Sequence, residues 1–218
     1  MIEQLSRLGV KKLVLVDPDN VEHKNLNRIP NTTWQDAIDE TPKVKALKRA
    51  IDNIGLGTEV IALRSNLQDL RAIESVAECD IVIGCMDSVF GRHVLNRIAV
   101  TYCIPYFDVG VKIIADGIGG IEHLVGTVHY LQPDGSSLRS RGVYTSEGLR
   151  SDGLKINNPE QYETLKKKKY IQGVNEDTAP CISVDAILAL TSMQGAVCCH
   201  SLWSPMSDAS RQTLCKVL

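Results

Sequence analysis

An α/β fold, built on a mostly parallel sheet with helices on both faces, is what this sequence predicts. Three observations predict it. Short continuous apolar runs end abruptly on polar residues, the pattern of strands buried on both faces. Segments with apolar residues at helical spacing lie between those runs. Strand and helix then alternate as far as Gly110, as in strand–helix–strand units of a parallel sheet.

The elements follow in order. "IEQLSRLGV" puts Ile2, Leu5 and Leu8 on one helical face, and Gly9 stops the helix. "KKLVLVD" is the first buried strand and ends on Asp17. "TPKVKALKRAIDNIG" opens with Thr41 as N-cap and Pro42 at the first helical position. Its apolar face is Val44, Leu47, Ile51 and Ile54, and Gly55 closes it. "TEVIAL" is the second strand. Leu67, Leu70 and Ile73 mark a helix capped by Asn66. "CDIVIGCMD" is the third strand, apolar until Asp87, and Ser88 caps a helix that turns Phe90, Val94 and Ile98 inward. "IPYFDVG" is the fourth strand.

The pattern then changes. "IGGIEHLVGTVHYLQP" reads as antiparallel strands joined by glycine-containing turns. Residues 133–180 are a long polar crossover segment with one short helix around Tyr162 and Leu165. "SVDAILALTSMQGAV" is a final amphipathic helix. The domain expected is therefore 1–197, followed by a divergent tail over 198–218 that lacks helical periodicity.

Composition bounds the function. The chain has 218 residues, 44% hydrophobic and 23% charged, which suits a globular domain with a sizeable core. A net charge of -2 gives no global case for nucleic acid or a membrane surface. No apolar run approaches the ~20 residues that span a bilayer. The seven cysteines include no C-x-x-C pair, so they point to a reducing cytoplasm and not to a disulfide framework.

Ligands of open parallel sheets bind beyond the carboxyl ends of the strands, where Asp17 and Asp87 fall. An acid at such a strand end suits a ribose diol. The stretch "VDPDNVEHKNLNR" then brings Asp19, Asn25 and Arg28, and Lys43 lies in the first turn of the next helix. Cations are disfavoured at a helix N-terminus, where the dipole is already positive. Two of them there make sense if a polyanion shares the space. With Asp87 available for a hard cation, the constellation suits a nucleoside triphosphate.

"LVLVDPDNVEHKNLNR", "TPKVKAL" and "IVIGCMDS" together resemble the ThiF/MoeB/HesA adenylyltransferases, relatives of the ubiquitin-activating enzymes. The resemblance covers residues 1 to about 197 and is carried by the run D-x-D-x-V-x-x-x-N-L-x-R with Lys43 and Asp87 in register. It implies a Rossmann-like nucleotide-binding fold that uses ATP and Mg2+. By position, Asp17 would hold the ribose, and Asn25, Arg28 and Lys43 the phosphates. Asp87 would hold magnesium, and Asp19 is the second acid of the motif. The implied reaction adenylates the C-terminal carboxylate of a small ubiquitin-fold or sulfur-carrier protein. A homodimer is a further expectation from the family.

Four departures qualify the resemblance. No G-x-G-x-x-G exists, and the chain opens inside the helix that should follow it. The first strand and its phosphate loop are therefore missing. A slot is expected in the middle of the sheet, between the strands ending at Asp17 and Asp87, and a truncated product or a fragment is expected. Where many relatives carry paired C-x-x-C motifs, this chain reads Ser137-Leu138-Arg139-Ser140, so no zinc is expected. Cys181 stands where some relatives form a thioester, but it reads as a small residue at a helix entry and is not assigned to catalysis. The tail does not resemble the family's ending. Two alternatives to the adenylyltransferase are a non-catalytic remnant or binding module and an NAD-dependent oxidoreductase. The latter explains Asp17 but not Arg28, Lys43 and Asp87 together.

Overall fold

The computed structural model describes residues 1–115, 121–167 and 213–217. Six strands form one sheet in the order β2-β1-β6-β3-β4-β5. These are β1 (Lys12–Val16), β2 (Glu59–Leu63), β3 (Ile81–Gly84), β4 (Tyr106–Ala115), β5 (Ile121–Leu131) and β6 (Thr213–Val217). All neighbours are parallel except the β4–β5 pair. The helices are α1 (Ile2–Arg7), α2 (Trp34–Ile38), α3 (Lys43–Ile54), α4 (Leu70–Ala77), α5 (Val89–Thr101), α6 (Ser146–Asn157) and α7 (Pro159–Lys167). None among the described residues is long and apolar enough to cross a membrane.

Alternation along each strand sends side chains to opposite faces, and both faces are covered. Leu13, Leu15, Ile81, Ile83 and Phe107 face α1 and α3, meeting Ile2, Leu5, Val44, Leu47 and Ile51. Val14, Val16, Val82 and Tyr106 face α4 and α5, meeting Ala72, Val76, Leu95 and Ile98. Leu138 and Tyr144, from the polar crossover, are buried in this second core.

The slot expected in the sheet is filled. β6 lies there and comes from the segment assigned to the divergent tail. It runs parallel to both neighbours: Lys12–Val16 pair with Thr213–Val217, and Ile81–Gly84 with Leu214–Val217. Burial supplies the physical reason. β3 is buried along its whole length and β1 from Leu13 on, and each unpaired buried backbone group costs about 1–3 kcal/mol. Any segment able to pair on both sides therefore relieves a large penalty.

Other boundaries shift. α3 starts at Lys43 with Pro42 in the cap position, because Pro42 is extended and the Lys43 N–H is drawn to the Asp19 carbonyl. The helix expected from Leu67 starts at Leu70. Asp69 accepts from the Asn66 N–H, so residues 66–69 form a turn that buries Leu67 before the helix begins. Among its described residues the crossover holds two helices, α6 and α7, where one was expected. Thr145 caps α6 by accepting from the Gly148 N–H. The helix expected over 183–197, with Cys181, lies outside the described residues.

Cys215→Pro removes a backbone donor in the middle of β6 and should cost about 3 kcal/mol or more. Urea denaturation of the full chain reads this directly. An unchanged midpoint would mean that β6 does not occupy the sheet centre in solution.

Candidate functional site

β1 delivers the first acid. The Asp17 N–H still donates to the Leu63 carbonyl on β2 at 3.2 Å, so the residue is held as part of the sheet and is 4% exposed. Its Oδ1 accepts from the Asp19 N–H at 2.8 Å, a turn closed by the aspartate's own side chain. Asp19 then projects outward.

The chain leaves for some twenty residues and is brought back to this point. The Val21 N–H donates to the Thr41 carbonyl, Asn20 bridges to Pro42, and the Lys43 N–H donates to the Asp19 carbonyl. Lys43 thus enters α3 directly over the aspartates. Its Nζ lies 2.7 Å from Asp19 Oδ2 and 3.9 Å from Asp17 Oδ2. The sequence argument held that a cation here calls for an anion. In this structure the protein's own carboxylates meet that call. The two partners differ: Asp17 is fixed and buried, whereas the Asp19 side chain is 62% exposed and free to swing away.

Asn25 and Arg28 lie on the same connection, in and just after a single 3-10 turn (His23–Asn25). Both are turned to local backbone. The buried Asn25 accepts from the Glu22 N–H at 3.0 Å, and Arg28 Nη1 donates to the Lys24 carbonyl at 2.6 Å. No direct bond joins either to Lys43 among the described residues.

A clamp that sequence reading missed holds this connection. Asp36 of α2 accepts from both arms of Arg49 of α3, at 2.8 and 2.6 Å. Asp36 is buried, and the Arg49 guanidinium holds its carboxyl well below the usual carboxylate range. The nearest signal in the sequence is Thr33, whose hydroxyl accepts from the Asp36 N–H while Asp36 accepts from the Thr33 N–H, a reciprocal cap.

Asp87 follows β3 on the other side of β6. It is exposed, and no ion pair or hydrogen bond holds it among the described residues. Two strand spacings separate the ends of β1 and β3, about 10 Å. The turn carrying Asp87 is firmly anchored. Ser88 accepts from the Gly91 N–H, and Asp152 of α6 accepts from the Phe90 N–H at 2.7 Å. A Cβ at Gly91 would lie 2.2 Å from the Met86 methyl, so the Met86 side chain packs directly on the first turn of α5.

A second polar cluster, also missed, lies inside the sheet next to Gly84. Tyr106 donates to Asp108 Oδ1 at 2.9 Å, and Arg92 Nε stands 3.4 Å from the same oxygen without hydrogen-bond alignment. Burial raises the Asp108 pKa, against the pull of Arg92 and the Tyr106 hydroxyl. Burial, with Asp108 beside it, pushes the Tyr106 phenol well up. The Arg92 guanidinium lies over Gly110, 2.5 Å from where a Cβ would stand. The pairing of β3 with β4 sets Gly84 opposite Asp108. Only the apolar pattern of "IPYFDVG" was legible, and it gave no sign of a buried acid.

The structure therefore joins Asp17, Asp19 and Lys43 in one contact group, sets Asn25 and Arg28 on the same connection, and leaves Asp87 two strands away, beyond β6. Two cavities among the described residues lie elsewhere, beside α5 and residues 131–144.

Comparison with known proteins follows these elements. The ThiF family profile matches residues 1–193. The chain is 30% identical over 104 residues to the sulfur carrier protein ThiS adenylyltransferase of Bacillus subtilis, covering 48% of this chain and 31% of that one. It is 33% identical over 94 residues to the molybdopterin-synthase adenylyltransferase of Escherichia coli, covering 43% and 37%. The matched part is thus about a third of each relative's own length. Among solved structures, E. coli MccB crystallised with AMPCPP and selenomethionine MccA superposes with a TM-score of 0.61. That likeness is at 19% identity, over 90% of this chain and 51% of MccB, and shows the fold.

Replacing Arg49 with Met strands the Asp36 carboxylate. The expected loss is about 2 kcal/mol near neutral pH, kept modest because Arg49 is 46% exposed and its charge is screened. Asp36 has a depressed folded pKa, so its contribution is present above the ordinary Asp value and fades as pH falls below it. The gap between parent and variant in urea melts should therefore narrow on acidification below about pH 4. A gap that widened there would contradict the assignment.

Proposed function

The chain belongs to the ThiF family, and from that premise we propose that it is an ATP-dependent adenylyltransferase acting on the C-terminal carboxylate of a small ubiquitin-fold or sulfur-carrier protein. The observation that carries the reading is the contact group of Asp17, Asp19 and Lys43 at the carboxyl end of β1. A carrier carboxylate oxygen attacks the α-phosphorus of ATP. The bond to the bridging oxygen breaks, pyrophosphate leaves with that electron pair, and an acyl-adenylate remains.

The residues divide the work by exposure and charge. Asp17 is buried and immobile, which suits acceptance of hydrogen bonds from the ribose hydroxyls. Lys43 exchanges the mobile Asp19 carboxylate for phosphate oxygens. That exchange keeps the lysine compensated both before and during the reaction. Arg28 retains guanidinium N–H groups for the phosphates beyond the one given to Lys24, and the Asn25 amide has N–H groups for the same purpose. Asp87 is a lone exposed carboxylate. This fits Mg2+, which takes one or two protein carboxylates and completes its shell with substrate phosphates and water. When bound, the ion would neutralise charge building on the phosphate oxygens.

The residues expected to bind zinc in relatives are serines here, and Ser137 and Ser140 bond to each other. We accordingly propose a protein without zinc. A cytoplasmic location and a homodimer are parts of the same proposal, whereas β6, drawn from the 198–218 segment, carries the domain beyond the expected boundary at 197.

A binding module without catalysis is the second reading. It is favoured by Lys43 being neutralised by the chain's own acids. Calorimetry with Mg-ATP on the parent and on Asp19→Asn separates the two. The enzyme reading expects Asp19→Asn to bind ATP at least as tightly, since Lys43 then lacks its competitor. Exchange of labelled pyrophosphate into ATP, with a sulfur-carrier protein supplied, tests the chemistry. Lys43→Ala and Asp87→Ala should each lower the exchange rate about a hundredfold or more, the effect of losing one transition-state contact of roughly 3 kcal/mol. Exchange that ignored both substitutions would overturn the assignment.

A further inference from the structure

A groove on the α4 and α5 side of the sheet is lined with positive charge and no carboxylate. Its volume is about 460 Å3. One wall is α5, which presents His93, Asn96, Arg97 and Val100, all on one helical face. The other wall is the start of the crossover, with Arg139 and Tyr144. Arg97 and Arg139 are exposed, and no ion pair engages either among the described residues. The walls are preformed. Asn96 Oδ1 accepts from the buried Leu138 N–H at 2.8 Å, and the Tyr144 hydroxyl meets His93 Nδ1 at 3.0 Å. Both arginines act on His93, whose pKa is lowered first by burial and then by their charge.

Val100 also belongs to the adjacent notch of about 150 Å3, where Ala99, Ile104, Leu131 and Pro133 form an apolar side and Gln132, Asp134 and Ser136 a polar one. A basic groove and the apolar side of a mixed notch thus share one edge at Val100. From His93 to Thr101 the groove follows about 12 Å of helix, the reach of about four extended residues. A single phosphate would fill little of that length.

We propose that this groove is a docking site for an acidic linear peptide of a partner protein. Carboxylates of the peptide face Arg97 and Arg139, and one apolar side chain enters the notch beside Val100. The site is separate from the contact group of Asp17, Asp19 and Lys43, and it does not depend on the nucleotide reading. α5 begins at the strand-end rim with Val89 and carries this face at its far half.

Fluorescence anisotropy on the full chain tests this, with a fluorescein-labelled peptide Glu-Glu-Leu-Glu-Glu as probe and Lys-Lys-Leu-Lys-Lys as its charge-reversed control. The acidic probe should bind, weaken with salt, and lose about tenfold or more in affinity with the double substitution Arg97→Glu and Arg139→Glu. The same double variant should gain binding of the basic peptide, a readout that a merely unfolded variant would not produce. Saturating Mg-ATP should leave the acidic probe bound. The proposal is overturned if both peptides bind the parent alike, if the double variant keeps the acidic probe, if inorganic phosphate displaces it as well as unlabelled peptide does, or if Mg-ATP competes with it.

Discussion

Parallel strands buried on both faces cannot tolerate an open ladder at the middle of the sheet, and that constraint organises this molecule. β1 and β3 each carry a row of backbone donors and acceptors toward the same slot, with cores above and below that exclude water. β6 satisfies both rows at once. Its pairing also sets the distance between the two strand ends on which the candidate site depends, because Asp17 and the turn of Asp87 stand on either side of it. The fold and the site therefore share one element. That element arrives from far along the chain, not from the segment before α1.

The reading of the sequence succeeded where one physical signal dominated locally. The runs of β1, β3 and β4 are apolar because both their faces are buried, and unbroken apolar sequence ending on polar residues located them. Ser88 and Gly55 announced helix ends through chemistry confined to a few residues. β6 was illegible for the complementary reason. "TLCKV" is short and mixed, and its place is decided by partners some two hundred and some hundred and thirty residues upstream. Nothing local specifies a strand whose stability comes from completing someone else's ladder. The α2 clamp escaped for a similar reason: Asp36 and Arg49 look like ordinary surface charges until the connection folds back over α3.

The candidate site was legible in its composition and less so in its electrostatics. Asp17, Asp19 and Lys43 were expected together, and they touch. The expectation that cations at this helix end require an external polyanion was too narrow, because Lys43 already has two carboxylates. This internal pairing has a physical rationale. A lysine at a helix N-terminus is opposed by the dipole, and leaving its largely buried side chain without an anion would cost stability. A fixed acid and a mobile one solve this: Asp17 holds the lysine near the rim, and Asp19 can be displaced. Asn25 and Arg28 show the same economy, since each is tied to local backbone through only part of its hydrogen-bonding capacity.

The two polar clusters, one at the end of β1 and one on β4, differ in what water can reach, and the difference explains their separate contributions. Around Lys43, an exposed carboxylate makes the pairing exchangeable. Around Asp108, water is excluded, and an acid with a raised pKa is held against an arginine and a phenol. A sealed cluster of that kind is costly to form and equally costly to break by removing one member, so it resists movement. Gly110 leaves the room that the Arg92 guanidinium occupies, and Arg92 stands one turn inside α5. Together with the Ser88 cap and the Asp152 carboxylate from α6, this fixes the start of α5 from three directions. Asp87 is itself unrestrained, but the turn beneath it is not. What the buried Asp108 cluster fixes is the backbone from which Asp87 projects, while the Asp87 side chain itself stays open to solvent.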